Sequence, residues 1–286
     1  MKLGIVGAEN SHCAAIAKLL NQEKVARGFS VTHVWGETRA FAKAAAEAGD
    51  IPTIVEEPTD MIGEVDCVMV DHRHGGRHIE AARPFVEAGI PVFVDKPLST
   101  SLGEAKRFLK LRREKGVPVT TMSIIPLQPV VKDIKKKLKK IGQPKAVTFA
   151  GPGEYKSKYG GITFYGIHQV DLMIELFGTE ARKVVVNING DSCQAVIDYP
   201  DELTVTINFV PGLRPFQVCA IGTDDAFHEN VVYEGNPYLA GTKTFTKMFR
   251  TGKEPFDDRR MLAPVAVLEA MQKSIDEKRW VKVGKF

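Results

Sequence analysis

The chain has 286 residues and a net charge of +4, and 44% of its residues are hydrophobic and 26% charged. It is long enough for one large domain or two modest ones, since single cores stop growing near roughly 250 residues. No apolar run approaches the ~18 residues of a membrane span, which excludes an integral membrane protein, and the single lysine-rich stretch near residue 135 is better explained by a solvated helix than by nucleic acid.

The N-terminal segment MKLGIVGAEN is predicted to be a strand, because it lacks the longer apolar core and the cleavage site of a signal peptide. Cys13, Cys67, Cys193 and Cys219 lie far apart and form no CxxC pair. Neither a disulfide framework nor a structural zinc module is expected, and we predict a cytoplasmic protein.

Residues 1–121 alternate short β-rich runs with alanine-rich helical runs such as SHCAAIAKLLN and RAFAKAAAEAG. The predicted strands are residues 2–6, 30–35, 53–55, 66–71, 91–95 and 118–122. Strand and helix repeated in this way predict a parallel sheet covered on both faces, wound as a Rossmann dinucleotide-binding domain.

The pattern changes after residue 122, where SIIPLQP interrupts the alternation. Antiparallel strands are predicted at residues 146–151, 183–190, 193–199, 202–210, 216–223 and 228–235. Helices are predicted at 166–177 and 257–278. The run ELTVTINFV alternates as a sheet with one buried face requires, so residues 122–286 are predicted to form a second, α+β domain.

The first strand leads into a candidate phosphate-binding loop. Gly7 can make the tight turn, and a helix beginning near Ser11 would offer N–H groups and a positive dipole end to a pyrophosphate, with Asn10 between them. The full G-x-G-x-x-G fingerprint is absent, because Glu9 and His12 occupy its second and third glycine positions. Taken alone, these five candidate cofactor residues are equally consistent with a working cofactor site and with a degenerate one.

The second strand is followed by Glu37, Thr38 and Arg39. Glu37 would accept hydrogen bonds from a ribose diol and favour NAD, whereas Thr38 and Arg39 would hold a 2′-phosphate and favour NADP. Thr38 as a helix N-cap and Arg39 as a surface residue is an alternative of equal weight. The choice between NAD and NADP stays open.

Three later segments carry a more specific pattern. The segment AARPFVEAGIPVFVDKPLS resembles the E-K-P segment of the Gfo/Idh/MocA oxidoreductases at residues 95–97. YGGITFYGIHQVDLMIELFG resembles their G-x-H-x-x-D helix at Gly166, His168 and Asp171, and the stretch from residue 249 onward resembles their last helix and closing strand. The resemblance runs in the right order over nearly the whole chain.

The resemblance implies an α/β protein: an N-terminal Rossmann domain with a doubly wound parallel sheet, and a C-terminal α+β domain with a mostly antiparallel open sheet for substrate binding and oligomerisation. It also implies NAD(P)-linked hydride transfer on a small polyol, sugar or related hydroxy metabolite, in a homodimer or homotetramer with no nucleic acid or membrane partner. Two alternatives are a non-catalytic regulatory member that senses nucleotide or ligand, and a hydrolase or lyase that uses NAD transiently.

The resemblance also indicates the catalytic groups. Lys96 closes the fifth strand at the carboxyl edge of the sheet, beside Asp95, where it would orient the nicotinamide and a substrate hydroxyl. His168 and Asp171 share a helix face with Tyr165, a candidate substrate contact one turn earlier. An imidazole with a pKa near ~6.5 suits proton transfer better than a lysine near ~10.4.

We therefore assign acid/base chemistry to His168, orientation to Lys96, and substrate binding or imidazole support to Asp171. His168 and Lys96 are expected to meet over one nicotinamide ring. Two departures from the family concern the substrate more than the fold: Phe164 stands where relatives carry an aspartate, and residues 123–126 are short and apolar where relatives often carry arginine or asparagine.

Histidines cluster after the fourth strand, in DHRHGGRH. Asp71 and His72 are predicted to contact the cofactor, and His74 to contact substrate. His72, His74 and His78 also have a spacing that resembles metal ligands. We favour a polar loop that receives an anionic substrate group with a neighbouring arginine, and predict no metal.

Overall fold

The computed structural model describes residues 1–286, which divide into two compact units. The first, called here the Rossmann unit, comprises Met1–Ser99, Gly103–Met122 and Tyr238–Met261. The second unit comprises Thr100–Leu102, Ser123–Pro237 and Leu262–Phe286. None of the eight α-helices combines the length and the apolar character needed to traverse a lipid bilayer.

Six parallel strands form the sheet of the Rossmann unit: β1 (Lys2–Val6), β2 (Ser30–Trp35), β3 (Thr53–Ile54), β4 (Cys67–Val70), β5 (Val92–Val94) and β6 (Val119–Thr121). Their order is β3-β2-β1-β4-β5-β6. Every residue of β4, β5 and β6 is buried, as expected for a parallel sheet with both faces covered. The predicted doubly wound fold is confirmed, and each strand ends within one residue of its predicted bounds.

The helices are α1 (Ser11–Asn21), α2 (Arg39–Gly49), α3 (His78–Glu87), α4 (Leu102–Lys115), α5 (Pro129–Leu138), α6 (Thr163–Phe177), α7 (Leu239–Thr251) and α8 (Asp258–Glu277). Several begin where the sequence supplies a cap. The side chain of Asn10 accepts from the N–H of His12 at the start of α1, and that of Thr38 accepts from Phe41 at the start of α2.

The Rossmann unit also contains α7, which the sequence analysis does not predict. The rings of Phe93, on β5, and Phe245, on α7, stack with their centroids 4.5 Å apart. Just after α7, the carboxylate of Glu254 pairs with Arg112 of α4. The Rossmann unit therefore includes a segment that lies far downstream of its six strands in the sequence.

The second unit contains a seven-stranded sheet: β7 (Pro144–Gly151), β8 (Lys183–Asn189), β9 (Ser192–Asp198), β10 (Thr204–Phe209), β11 (Phe216–Gly222), β12 (Ala226–Val231) and β13 (Val281–Lys282). The order is β12-β11-β7-β10-β9-β8-β13. All neighbours are antiparallel except β7 and β10, so the predicted mostly antiparallel sheet is confirmed.

The last predicted strand of this sheet is displaced. Residues 228–235 were expected to be extended, whereas β12 is Ala226–Val231. Its final pair joins Val231 to Phe216, the first residue of β11. Residues beyond 231 therefore have no opposite residue on β11 to pair with.

The seven-stranded sheet has one buried face. Val147, Phe149, Val205 and Ile207 are at most 1% exposed and belong to a core that includes residues of α6 and α8. The alternate residues of the same strands, such as Thr148 and Thr206, point to the other face, as the two-residue period of a strand requires.

Candidate active site

Gly7 makes the first turn of the Rossmann unit directly after β1. Its φ is +108°, and its N–H donates to the carbonyl of Trp35 at 3.0 Å. A Cβ at this position would lie 2.7 Å from the backbone of both Asp71 and His72. Only glycine fits so close an approach, which places the loop after β1 against the end of β4.

Glu37, which follows β2, closes over this loop. Its Oε2 accepts the backbone N–H groups of Ala8 and Glu9, each at 2.9 Å, and its Oε1 lies 2.7 Å from Nδ1 of His72. Burial alone would raise the pKa of Glu37, but these hydrogen bonds outweigh burial and lower it to about 2. Glu37 is therefore a fixed carboxylate at neutral pH.

This carboxylate bears on the choice of cofactor. An ionised acid at the end of β2 is a hydrogen-bond acceptor for a ribose diol and repels a 2′-phosphate. The hydroxyl of Thr38 accepts from the N–H of Phe41 at 3.2 Å, and Arg39 pairs with Glu56 at the surface. Thr38 and Arg39 thus make the contacts of a helix cap and of a surface ion pair.

The start of α1 is joined to the ends of β4 and β5. The amide Nδ2 of Asn10 donates to Asp71 at 3.0 Å and to Asp95 at 3.3 Å. His12, which occupies the third glycine position of the fingerprint, places Nδ1 3.1 Å from the carboxylate of Asp95. Ser11, the first residue of α1, is exposed. The side-chain contacts of Asn10 and His12 thus take the place of the closely packed glycines of the G-x-G-x-x-G fingerprint.

The pKa values of the two buried acids, Asp71 and Asp95, are shifted in opposite directions. Burial, and then the charge of Asp95, raise the pKa of Asp71 well above its ordinary value. Burial also opposes ionisation of Asp95, but its interactions with His12 and Lys96 outweigh burial and lower the pKa of Asp95. The Oδ2 of Asp71 is a buried polar atom with no hydrogen-bond partner. An orphaned group of this kind fits a site that a polar ligand completes.

The ligand atoms of His12, Asp71 and Asp95 lie within 4.8 Å of one another, as those of a metal site would. The amide of Asn10 already donates to both carboxylates, in the place that a cation would take. Hydrogen bonding accounts for this cluster.

The three histidines of the loop after β4 have separate partners. His72 contacts the carboxylate described above, while Nδ1 of His74 accepts from the N–H of Gly76 at 3.0 Å. The ring nitrogens of His78 lie 2.6 Å from the carbonyl of Pro97 and 2.7 Å from that of His72. These contacts hold the loop in place and give each histidine a structural role.

Lys96 lies just beyond β5, next to Asp95. It is 7% exposed, and its Nζ lies 3.8 Å from the Asp95 carboxylate. The carboxyl ends of parallel strands meet at one edge of a sheet. The Rossmann unit therefore brings Lys96 to the same edge as Gly7, Glu37 and Asp71.

In the second unit, α6 carries Tyr165, His168 and Asp171. His168 and Asp171 share a partner that was not predicted from the sequence: Ser123, the first residue after Met122. Its hydroxyl lies 2.7 Å from Nδ1 of His168, and its N–H donates to the carboxylate of Asp171 at 2.9 Å. The signal in the sequence was weak: Ser123 is the one polar residue in SIIP.

Aromatic rings surround His168. The ring of Tyr165 is 5.5 Å from that of His168 and 5.1 Å from that of Phe164, and Phe216 of β11 is 5.8 Å from His168, all in edge-on geometry. Tyr165 is 40% exposed, whereas His168 is 7% exposed. The imidazole is thus held in a largely apolar setting, next to a tyrosine that a ligand can reach.

Residues 1–123 match the family model described as "Oxidoreductase family, NAD-binding Rossmann fold". Over this domain, the chain is similar to the Gfo/Idh/MocA oxidoreductases. The edge that carries Gly7, Glu37 and Lys96 is thus the carboxyl edge of an NAD-binding Rossmann fold.

Two curated relatives extend the match into the second unit. The chain is 24% identical over 200 residues to the uncharacterized protein YMR315W of Saccharomyces cerevisiae, covering 62% of this chain and 56% of that protein. It is 26% identical over 226 residues to inositol 2-dehydrogenase 1 of Saccharopolyspora erythraea, covering 74% of this chain and 65% of that enzyme. The chain thus spans less than two thirds of the length of either relative.

Solved structures show the same fold over the full length. The scyllo-inositol dehydrogenase of Lactobacillus casei, with bound NAD(H) and scyllo-inositol, superimposes with a TM-score of 0.85 at 14% identity, covering 100% of this chain and 99% of that one. At this identity the likeness shows the fold alone.

Proposed function

We propose that this protein is an NAD-dependent oxidoreductase that transfers hydride between the cofactor and a small polyol, sugar or related hydroxy metabolite. The observation that carries the proposal is the position of Lys96. This nearly buried lysine lies at the same sheet edge as the Gly7 turn and the ionised Glu37. An ammonium there is suited to a substrate hydroxyl that develops negative charge.

Several groups would hold the dinucleotide. Glu37 would accept from the adenosine ribose, the start of α1 would receive the pyrophosphate, and the orphaned Oδ2 of Asp71 would meet a polar group of the cofactor. When bound, the nicotinamide supplies the hydride acceptor or donor. His72, which contacts Glu37, would keep the acid in position.

The chain's own residues would then manage the proton. His168 would take the hydroxyl proton of an alcohol substrate or return it to a carbonyl, because imidazole exchanges protons near neutral pH. Lys96 would orient the same oxygen by charge and hydrogen bonding. Tyr165 and His74 would contact the substrate, and Asp171 would act through its hydrogen bond to Ser123.

A binding and turnover experiment tests the proposal. NADH and NADPH are titrated against the purified protein by fluorescence, and a panel of cyclitols, polyols and aldoses is then screened by nicotinamide absorbance. We expect NADH binding and turnover of at least one alcohol. Binding without turnover would favour the regulatory alternative, and product release without net change in the nicotinamide would favour the hydrolase or lyase. The cytoplasmic location is part of the proposal and rests on the cysteine pattern.

The charge of Glu37 is expected to set the preference for NADH. At an effective dielectric constant of 20, a like charge about 4 Å away costs about 4 kcal/mol. We therefore expect the wild-type protein to bind NADH at least about tenfold more tightly than NADPH, a difference of about 1.4 kcal/mol. Glu37→Gln keeps an acceptor for the Ala8 and Glu9 N–H groups and removes the charge. It should therefore reduce the ratio of the NADPH dissociation constant to the NADH dissociation constant.

The matched control is Arg39→Ala, measured by the same titration. Because Arg39 pairs with Glu56, its loss should leave the ratio unchanged. Weaker NADPH binding in Arg39→Ala, with no effect of Glu37→Gln, would contradict this assignment and support an NADP site.

The proposal includes a homodimer or homotetramer formed through the outer face of the seven-stranded sheet. The middle of this face carries uncharged groups in mutual hydrogen bonds. The hydroxyls of Thr148 and Thr206 are 2.8 Å apart, and Gln194 donates to the side chain of Asn208 at 2.9 Å. Such a face can be buried without the cost of desolvating charge.

Light scattering after size-exclusion chromatography checks this assembly. We expect a dimer or tetramer for the wild-type protein and a shift toward monomer for Thr206→Lys, which places a charge at the centre of the face. Glu87→Lys, on the exposed end of α3, is the control and should not change the mass. A wild-type monomer would refute the proposed assembly.

A further inference from the structure

Ser123 is held at both its main chain and its side chain. It is 1% exposed, and its N–H donates to Asp171, which is 2% exposed, at 2.9 Å. Its hydroxyl oxygen accepts from the N–H of Ile125 at 3.1 Å, which closes a short serine turn. The same hydroxyl lies 2.7 Å from Nδ1 of His168.

The turn that follows Ser123 is fixed as well. The side-chain amide of Gln128, which is 3% exposed, donates to the carbonyl of Ile124 at 2.8 Å and to that of Pro237 at 3.1 Å. These hydrogen bonds hold the main chain around Ser123, and rotation of the hydroxyl away from His168 would also break its bond from the Ile125 N–H.

The chemistry of a hydroxyl suits this position. A serine oxygen has one hydrogen and two lone pairs, and Ile125 uses one lone pair. The second lone pair can accept from an N–H at Nδ1 of His168. With Nδ1 engaged in this way, the lone pair of a neutral imidazole lies on Nε2, and the ring keeps the same contact when Nε2 takes up a proton.

Several other groups lie near His168. On its own helix the titratable groups are Tyr165, Asp171 and Glu175, which pairs with Lys135, and β11 contributes the uncharged ring of Phe216. The Ser123 hydroxyl, 2.7 Å from Nδ1, is neutral. A carboxylate in its place would stabilise the imidazolium and make the ring a proton acceptor at higher pH only.

We propose that Ser123 is the positioning residue of His168: its hydroxyl engages Nδ1 and leaves Nε2 to exchange the proton with the substrate. Asp171 supports this geometry by fixing the main chain of Ser123. The inference rests on the proposed oxidoreductase function for its consequence in catalysis, while the hydrogen bond itself can be tested without turnover.

Three substitutions at Ser123 separate positioning from mere packing. Ser123→Ala removes the contact to Nδ1 and should lower kcat by about 10- to 100-fold with a smaller change in KM, as expected for misplacement of a reacting group. Ser123→Thr keeps the hydroxyl and should restore most of the activity. Ser123→Asp keeps an acceptor for the Ile125 N–H but adds a charge, so the rise of kcat with pH for alcohol oxidation should move upward by about one pH unit.

The contact is read directly by nitrogen NMR of the full-length protein labelled at histidine, with the His168 signals assigned from their loss in His168→Gln. In the wild-type protein we expect the shift of a protonated Nδ1 in the neutral ring. In Ser123→Ala we expect the shifts of both ring nitrogens to move toward the values of mixed tautomers. Ser123→Thr should resemble wild type, and it keeps the test usable if the alanine variant does not fold.

Unchanged His168 signals in Ser123→Ala, or a pH profile that does not move in Ser123→Asp, would overturn the role of Ser123. Failure of the proposed function has a different signature: the protein would bind no nicotinamide cofactor or turn over no alcohol, whatever residue stands at position 123. The two results are therefore distinguishable.

Discussion

His168→Ala is expected to lower turnover by about 10²- to 10⁴-fold, the usual contribution of a positioned acid or base. NADH affinity should be nearly unchanged, because the residues that would hold the cofactor belong to the Rossmann unit, whereas His168 lies on α6 of the second unit. The measurement is kcat by nicotinamide absorbance, together with the dissociation constant of NADH by fluorescence.

His228→Ala is the control for loss of an imidazole. His228 is exposed on β12, opposite Cys219 of β11, and its replacement should leave kcat unchanged. If His168→Ala keeps full activity, His168 has no part in the chemistry. If both variants lose activity equally, the effect is one of stability and not of proton transfer.

Gly7→Ala is expected to abolish NADH binding and to lower the free energy of unfolding by about 3 kcal/mol, through backbone strain and overpacking together. The new Cβ would lie 2.7 Å from the backbone of Asp71 and His72, so the loop after β1 must move away from β4. That movement would also separate the Ala8 N–H from Glu37. Fluorescence titration and thermal denaturation measure the two effects.

Gly28→Ala isolates the contribution of the contact. Gly28 has a φ of +81°, and a Cβ there would meet nothing within 4 Å. Gly28→Ala therefore carries the cost of a positive φ, about 1–2 kcal/mol, but not the clash with neighbouring backbone that Gly7→Ala introduces. Equal losses of stability in the two variants would show that the close approach of Gly7 to β4 contributes little.

The sequence was sufficient for the order and type of most elements. The bounds of β1 and β2 are those predicted from the alternation of strand-like and helix-like runs. The helix α6 is recognisable from its histidine motif. These features depend on residues close in the chain. Local pattern alone therefore predicted the Rossmann sheet and the mostly antiparallel sheet.

Contacts between distant residues were not predictable in the same way. Glu37 was recognised as an acid at the end of β2, but its bonds to the N–H groups of Ala8 and Glu9 depend on how the loop folds. Ser123 and His168 are 45 positions apart, and neither residue marks the other in sequence. Only the packing of the turn at Ile125–Leu127 against α6 could bring them together.

The helix α7 was missed because its composition disfavours a helix. Its sequence LAGTKTFTKMFRT contains a glycine and four threonines, which have low helix propensity. In the folded protein the hydroxyls of Thr244, Thr246 and Thr251 each bond back to a carbonyl four residues earlier. Burial of Phe245 and Met248 in the Rossmann unit then stabilises what local propensity does not.

The late return of the chain to the Rossmann unit constrains how the protein is made. When residue 122 leaves the ribosome, all six parallel strands exist, yet the Arg112 guanidinium and the Val119 N–H still lack the carboxylate of Glu254 that satisfies both. A largely buried cation without its counter-ion is costly. The nascent N-terminal half must therefore wait, incompletely stabilised, through the synthesis of more than a hundred further residues, and chaperone capture has its widest opportunity in that interval.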